Sequence, residues 1–463
     1  MISKKYLSIS IFCFFGLFQS CQEDELSEPE VTNNTVNGWI YNKMKSNYLW
    51  LEEIPEYKYL KGDDTAENFF QSLISDKEKK VRNGNTYWYS YMEKKHGATK
   101  VSEYPEDTYG IEYVLYQVNK PGQYFARVIY VTPNTPAQIA GVKRGMWIKK
   151  INGQSLNSSN YKLLDNGSGI KLSVYEGVYN EDDQITAELK VGAQVSIYSH
   201  PILHRSIVTG ANGKKIGYLV YNHFSPGPTG YTDKAYNDSL NKVFQYFKAE
   251  AVTEFILDLR YNPGGYIDCA VNLASYLVKQ ENLNRVFCRV DYNPTTNLKS
   301  NIYNFNKKLS DLNLNLDRVY ILTGQWTASA SEAVINGLKP MMDVIQIGAV
   351  TEGKNLGSLS YSDDRYDWIL HPIVAKIANE EGKGDYWTGI LPDIEFDEFR
   401  SRAVLGELGT LNDSLIYKSL KDMELLPARS IQTKASTQPT GFPNLEPGYS
   451  SLSRKSLPAV RIN

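Results

Sequence analysis

The sequence predicts an α/β multidomain protein: a helical region first, a small strand-rich domain second, a mixed core third. Three observations carry this. Apolar residues fall at helical spacing in NGWIYNKMKSNYLWLEEIP, with Trp39, Ile40, Met44, Tyr48 and Leu51 on one face. From residue 105 to 200 the texture changes to short apolar alternations such as TYGIEYVLYQV and QYFARVIYV. Beyond residue 201, apolar runs alternate with amphipathic stretches, the pattern of strands interleaved with helices. A chain of 463 residues accommodates two or three such domains.

The first 21 residues stand apart. Lys4 and Lys5 precede an apolar run, Tyr6–Phe18, that is too short to span a bilayer comfortably, and small Ser20 precedes Cys21. This is the layout of a cleaved export segment. The small residue before cysteine resembles a bacterial lipoprotein signal, which implies Cys21 as the lipidated first residue of the mature chain. The implied location is the Gram-negative cell envelope, as an outer-membrane lipoprotein facing the periplasm or the surface, with the membrane as a partner. Phe18 and Gln19 depart from that signal's usual Leu and small residue, and an ordinary secretory signal is the alternative. The acidic run Glu23–Glu25 resembles the surface-export signals of some lipoproteins.

Residues 22–35 are acidic and polar and read as a tether. Residues 36–104 form the helical N-terminal region. Its second helix lies in DDTAENFFQSLISDKEKK, capped by Asp63 or Asp64. In 105–200, TPNTPAQIAGVKRGMWIKKINGQSL gives a short helix at Pro136–Ala140, a stop at Gly141, a strand Trp147–Ile151 and a turn at Asn152–Gly153. In 201–427, KKIGYLVYNHF, TEFILDLRYNPGG and DRVYILTG read as strands, while SLNKVFQYFKAEAV and YIDCAVNLASYLV read as helices. Residues 428–463 are rich in Ser, Pro and Lys without periodicity, and read as a disordered tail.

Composition excludes some functions. The net charge is −2 with no long basic run, which argues against a nucleic-acid partner. Outside the export segment only Cys269 and Cys288 remain, and no CxxC pair exists, which argues against a structural zinc site. An oxidising compartment would permit a disulfide between the two, and their spacing does not decide it.

The chemistry concentrates at TASASE. Ser329-x-x-Glu332 matches a capping box, in which serine accepts the N3 amide and glutamate reaches back. A strand running through a turn into a helix also lifts Ser329 to a sheet edge, where helix amides favour developing negative charge. Lys354, in IGAVTEGKNLGS, is a candidate base. It must be neutral to act, so a free pKa near ~10.4 has to fall to about 7 through burial, a cost of roughly 4 kcal/mol. The glycine turn Asn262–Gly265 can aim a backbone N–H at an oxyanion. None of His96, His200, His204, His223 or His371 lies in a triad motif.

Together these motifs resemble the C-terminal processing (tail-specific) serine peptidases with a Ser–Lys dyad. Ser329 stands before A-S-E in T-A-S-A-S-E. Lys354 stands in T-E-G-K, and 354 − 329 gives the family's usual spacing of 25. Arg260, Asn262, Gly264 and Gly265 match R-x-N-x-G-G, and TGILPDIEF matches a late G-x-x-P-D strand. The resemblance implies Ser329 as nucleophile and Lys354 as base, with an oxyanion hole from the Ala330 amide and that of Gly264 or Gly265. Glu332, Thr351 and Ser358 are implied as supports. Ser358 stands where many members have Gln, and Pro340 stands where some have Asp.

PAQIAGVKRGMWIKKING resembles a PDZ domain, with Met146 in place of the usual Asp. Its carboxylate-binding loop would be Tyr109–Gly110–Ile111. The implied fold is thus a helical N-terminal region, a PDZ-like domain and a spiral ββα sandwich core of the ClpP and crotonase type. The implied function is a serine endopeptidase that takes polypeptide substrates and selects protein tails through the PDZ-like domain, with no metal or organic cofactor implied. The alternatives are an inactive peptide-binding lipoprotein on the same fold, or an acyl-ester hydrolase on the same core.

Overall fold

The computed structural model describes residues 31–82, 85–95, 105–118, 121–179, 184–400, 404–427, 447–452 and 460–461. Cys21 and His96 lie outside them.

The N-terminal region opens with the helix Val36–Asn47, where Thr35 Oγ1 accepts the Gly38 N–H. The second helix, Ala66–Ser72, is capped by Thr65 rather than by Asp63 or Asp64. Asp64 instead accepts the Thr65 N–H and the Asn68 side chain, one residue outside the cap. The region is not helical throughout. Lys80–Arg82 pairs with Asn85–Tyr87, and Tyr91–Lys94 pairs with the strand Trp368–His371. Trp39, Tyr48, Phe69 and Phe70 bury against Leu356, Leu370 and Ile373, so this region packs on the core.

Residues 105–200 form an antiparallel sheet containing, in spatial order, Ala187–Val191, Ile170–Tyr175, Trp147–Ile151, Tyr124–Val131 and Ile111–Gln117. Alternate residues of the last strand face two cores, as strand geometry dictates. Ile111, Tyr113 and Leu115 face the domain's own interior, whereas Val114 and Tyr116 face a cluster that includes Tyr261, Phe399 and Leu405.

The third region holds a six-stranded sheet: Ile202–Thr209, Lys215–Tyr221, Glu254–Asp258, Arg318–Thr323, Asp343–Gly348 and Ile394–Glu395. All neighbours after the first pair are parallel. Helices Ala235–Ala249, Ile267–Ser275 and Ala330–Leu338 bury apolar faces in the main core cluster, and Ser414–Asp422 packs in a second one with Val208, Ile256 and Ile347. A second sheet carries Asn301–Asn304, Val286–Tyr292, Ile373–Ala378 and Leu356–Ser358. Cys269 and Cys288 are buried free thiols, which burial pushes well above the usual thiol range.

Two described stretches of the tail form strands. Pro447–Ser450 pairs antiparallel with Ile111–Gln117, and Val460–Arg461 pairs parallel with Leu356–Ser358. Strands of four and two residues leave no period to read in a sequence, and they exist here because each meets an open sheet edge.

A buried ionic cluster joins the second and third regions. Arg260 binds Asp258, Glu398 and Asp413, and Arg144 reaches Glu398 from the strand-rich domain. Burial raises the Glu398 carboxyl, but Arg260 and Arg144 more than offset this and hold it near about 2. Its folded pKa lies below its unfolded one, so its contribution is present above the ordinary carboxylate range and is lost as pH falls toward about 2. Replacing Arg260 by Met takes the cation from buried Asp258 and leaves Glu398 and Asp413 to Arg144 alone. Urea unfolding at pH 7 should show a loss of about 3–5 kcal/mol; an unchanged midpoint would mean that the cluster contributes nothing to stability.

Candidate active site

Three loops leave the carboxyl ends of three neighbouring parallel strands. Asn262–Gly265 follows Glu254–Asp258, Ser329 follows Arg318–Thr323, and Lys354 follows Asp343–Gly348. Parallel neighbours bring their C-terminal loops together, which is where open α/β sheets place their sites. Hydrogen bonds stitch the loops. The Ala328 N–H and Ser331 Oγ donate to the Asn262 carbonyl at 3.1 and 3.0 Å, and the Glu352 N–H donates to the Thr327 carbonyl at 2.9 Å.

Ser329 is fully buried and sits at φ 62°, ψ −116°, a conformation that costs an L-residue about 1–3 kcal/mol. Its Oγ has no hydrogen-bond partner among the described residues. Both contacts of the capping box are present, but only one closes as a hydrogen bond: Glu332 Oε2 accepts the Ser329 N–H at 2.8 Å, while the serine hydroxyl faces the N3 amide without bonding to it. A serine that merely capped its helix would spend that oxygen on the N3 amide.

Glu332 is buried and takes four donors. Oε2 accepts the Ser329 and Lys354 amides, each at 2.8 Å; Oε1 accepts the Gly353 amide at 2.7 Å and Thr351 Oγ1 at 2.6 Å. One oxygen therefore holds the backbones of both Ser329 and Lys354. Burial pushes the Glu332 carboxyl up to about 7 against these four bonds. Three donors are amides that cannot accept a proton, so the cage fits the carboxylate. Thr351 Oγ1 in turn accepts the Ile390 N–H at 2.7 Å, which anchors the Lys354 loop from behind.

Lys354 is buried, with its Nζ 4.7 Å from the centroid of the Tyr89 ring. Burial brings its ammonium down to about 7, opposed by the nearby carboxylates Glu352, Glu332 and Glu78. Tyr89 and Glu78 belong to the N-terminal region. Glu78 is itself enclosed, accepting Tyr48 Oη at 2.7 Å and the Ser90 N–H at 2.9 Å, and burial pushes it up to about 7. Sequence reasoning missed both residues; Tyr89 lies in the aromatic run TYWYSY, which reads as core, and Glu78 lies in the charged run DKEKK.

Gly264 presses on the serine. A Cβ there would stand 2.6 Å from Ser329 Cβ and 2.9 Å from Oγ. Its N–H is already donated to Asn262 Oδ1 at 2.8 Å. The Gly265 and Ala330 amides meet no acceptor among the described residues. Ser358 is buried at the end of the strand Leu356–Ser358 and pairs with Ile373. The described histidines have partners of their own. His371 contacts Ser360 and Glu93 and stacks on Tyr91, His204 contacts Ser206, and the His200 and His223 rings pack against Tyr236.

At the other predicted loop, Tyr109 and Ile111 are buried, and Gly110 has φ 87°. The Gly110 N–H donates to Thr108 Oγ1 at 2.9 Å, and the Tyr109 and Gly110 carbonyls accept from Ala137 and Thr132.

Comparison with known proteins gives the family. The family signature for peptidase family S41 matches residues 215–396, and that of the peptidase S41 N-terminal domain matches 35–96. The crystal structure of a candidate S41 protease from Bacteroides fragilis is 32% identical, covers 86% of this chain and 98% of that one, and superposes with a TM-score of 0.74. The chain belongs to peptidase family S41. A CtpA-like serine protease named in Staphylococcus aureus (strain COL) is 24% identical over 301 residues, which are 63% of this chain and 54% of that protein. A carboxyl-terminal-processing protease of Picosynechococcus is 24% identical over 282 residues, 58% of this chain and 59% of its own. The chain thus spans little more than half the length of these S41 relatives.

The buried lysine carries a pH signature of its own. Its folded pKa lies below its ordinary 10.5, so the folded state holds fewer protons between about 7 and 10.5. The cost of burial is full below about 7 and shrinks as pH rises above it. Lys354→Met should therefore raise the unfolding free energy by a few kcal/mol at pH 6, at about 1.4 kcal/mol for each tenfold loss of proton affinity, and by much less at pH 10. Urea midpoints at the two pH values measure this. An advantage equal at both would mean that Lys354 is not held neutral by the fold.

Proposed function

We propose that this S41 chain is a serine peptidase in which Ser329 attacks a peptide carbonyl while neutral Lys354 takes its proton. The observation that carries the reading is the pairing of an unpartnered, strained serine hydroxyl with a lysine whose burial lowers it to about 7, both amides fixed on Glu332. Attack by Ser329 Oγ forms the C–O bond, and the carbonyl oxygen gains negative charge. The Gly265 and Ala330 amides are the donors left over to receive it, Gly264 serving as the close-packed wall beside Oγ. The Lys354 ammonium returns its proton to the leaving amine. Lys354 then activates the water that releases the acyl-enzyme.

Thr351 and Glu332 act as positioning residues, and Ser358 lies on the strand that continues from the base. The strand-rich domain is read as a PDZ-like acceptor of extended polypeptide. On this reading the chain sits in the cell envelope of a Gram-negative bacterium, held by lipid on Cys21. A single-alanine test addresses the chemistry. Ser329→Ala and Lys354→Ala should each lower cleavage of an unfolded protein by at least ~10³-fold while far-UV CD stays native. Wild-type kcat/KM should rise with pH through about 7 as Lys354 loses its proton. Cleavage equal in all three proteins would dismiss the dyad. For the anchor, cells fed a labelled fatty acid should transfer label to the wild-type chain and none to Cys21→Ala; label on both would move the attachment elsewhere.

A further inference from the structure

The tail strand Pro447–Ser450 adds to the free edge of Ile111–Gln117, with Pro447 opposite Tyr116 and Ser450 opposite Val114. It runs toward the Tyr109–Gly110–Ile111 turn, in the orientation of a peptide adding a strand to a sheet edge. Side chains seat it. The Tyr449 ring lies 5.4 Å from that of Tyr161, on the short helix Tyr161–Leu164, and 6.2 Å from that of Tyr113. It therefore fills the groove between helix and strand. Ser451 Oγ accepts the Tyr113 N–H at 2.8 Å and donates to the buried Glu112 carboxylate. Leu452 is buried with Val114, Tyr116 and Tyr261, the neighbour of Asn262.

The same tail then covers a second edge. Val460 lies opposite Gly357 and Arg461 opposite Ser358, on the strand that begins two residues after Lys354. One segment thus occupies both the groove of the strand-rich domain and the sheet edge beside the proposed base.

We propose that the tail stretches 447–452 and 460–461 are a built-in ligand of this S41 chain, occupying the track that substrate polypeptide would take and competing with it; this rests on the peptidase reading above. The chemistry also defines the ligand class. The Gly110 amide is spent on Thr108, and Glu112 places a buried carboxylate where Ser451 sits. A free C-terminal carboxylate would meet like charge there, whereas an internal segment with a hydroxyl donor does not. The groove selects an extended internal stretch with an aromatic residue two positions before a serine and an aliphatic residue after it, as in Tyr449-Ser450-Ser451-Leu452. Tethering gives the tail an effective concentration on the order of millimolar, so a tail whose own affinity lies in the hundred-micromolar range holds any competing polypeptide back about tenfold.

The pair Ser450–Val114 allows a test in the full chain. Val114→Cys/Ser450→Cys places two thiols at directly opposed strand positions, where oxidation can lock the tail in place. In a Ser329→Ala background, binding of fluorescein-labelled, unfolded casein is followed by anisotropy before and after oxidation, with mass spectrometry to confirm the cross-link. The expected result is a cross-link under mild oxidant, binding weakened at least fivefold, and recovery on reduction. Failure to cross-link, or a cross-linked protein that binds casein as well as the reduced one, overturns the proposal. The same pair with Ser329 intact separates the two readings. Casein binding that shifts with oxidation while neither form cleaves would sink the peptidase reading and leave the built-in ligand standing.

Discussion

Glu332 is the constraint on which the site depends. A carboxylate at the third position of a helix ordinarily steadies only that helix. Here its two oxygens are shared between the turn before its own helix and the loop after the next strand. The Ser329 turn and the Lys354 loop are thereby fixed to one group, and their separation does not depend on the long side chains themselves. This also frees the serine. Because Glu332 satisfies the Ser329 amide, the strained backbone is held without a hydrogen bond from the hydroxyl.

Such an arrangement is costly and the surrounding fold bears the cost. The site buries Lys354 with Glu332 and Glu78 nearby, and burial pulls each toward its neutral form. On the proposed reading, neutral lysine suits a base, but its protonated form must also be tolerated. The three carboxylates near it and the Tyr89 ring face supply that tolerance. Two of these groups, Tyr89 and Glu78, come from the N-terminal region, so that region is part of the lysine's enclosure. The peptidase S41 N-terminal match over 35–96 spans both.

Part of this was legible in the sequence. Ser329 and Lys354 could be paired because each follows an apolar strand, and consecutive parallel strands put their loops side by side. Motif spacing therefore reports real adjacency. The same logic reached Asn262–Gly265, the loop after the neighbouring strand. It could not choose between the two glycines, since that depends on Asn262 Oδ1 taking the Gly264 amide. Tyr89 and Glu78 were hidden because they approach from a region whose aromatic residues read as packing, and most are. The helix cap was misplaced by one residue because Asp63, Asp64 and Thr65 all cap well, and local geometry alone selects Thr65. The tail strands were invisible because their stability comes from the edges they meet, not from their own pattern.

Those two edges share a logic. A sheet edge offers unpaired amides and carbonyls to any extended chain, and a protein that handles unfolded polypeptide must leave some of them accessible. An accessible edge is also an invitation to its own chain and to other copies. Covering it with a tethered segment of few residues satisfies the backbone at rest yet leaves an occupant weak enough to displace, because a strand of two or four residues brings few hydrogen bonds. Ser451 strengthens one contact, through Tyr113 and Glu112, without lengthening the strand. The groove and the Lys354 strand are thus coupled through one covalent chain. A chain that displaced the tail from the first edge would thereby lower the tail's local concentration at the second.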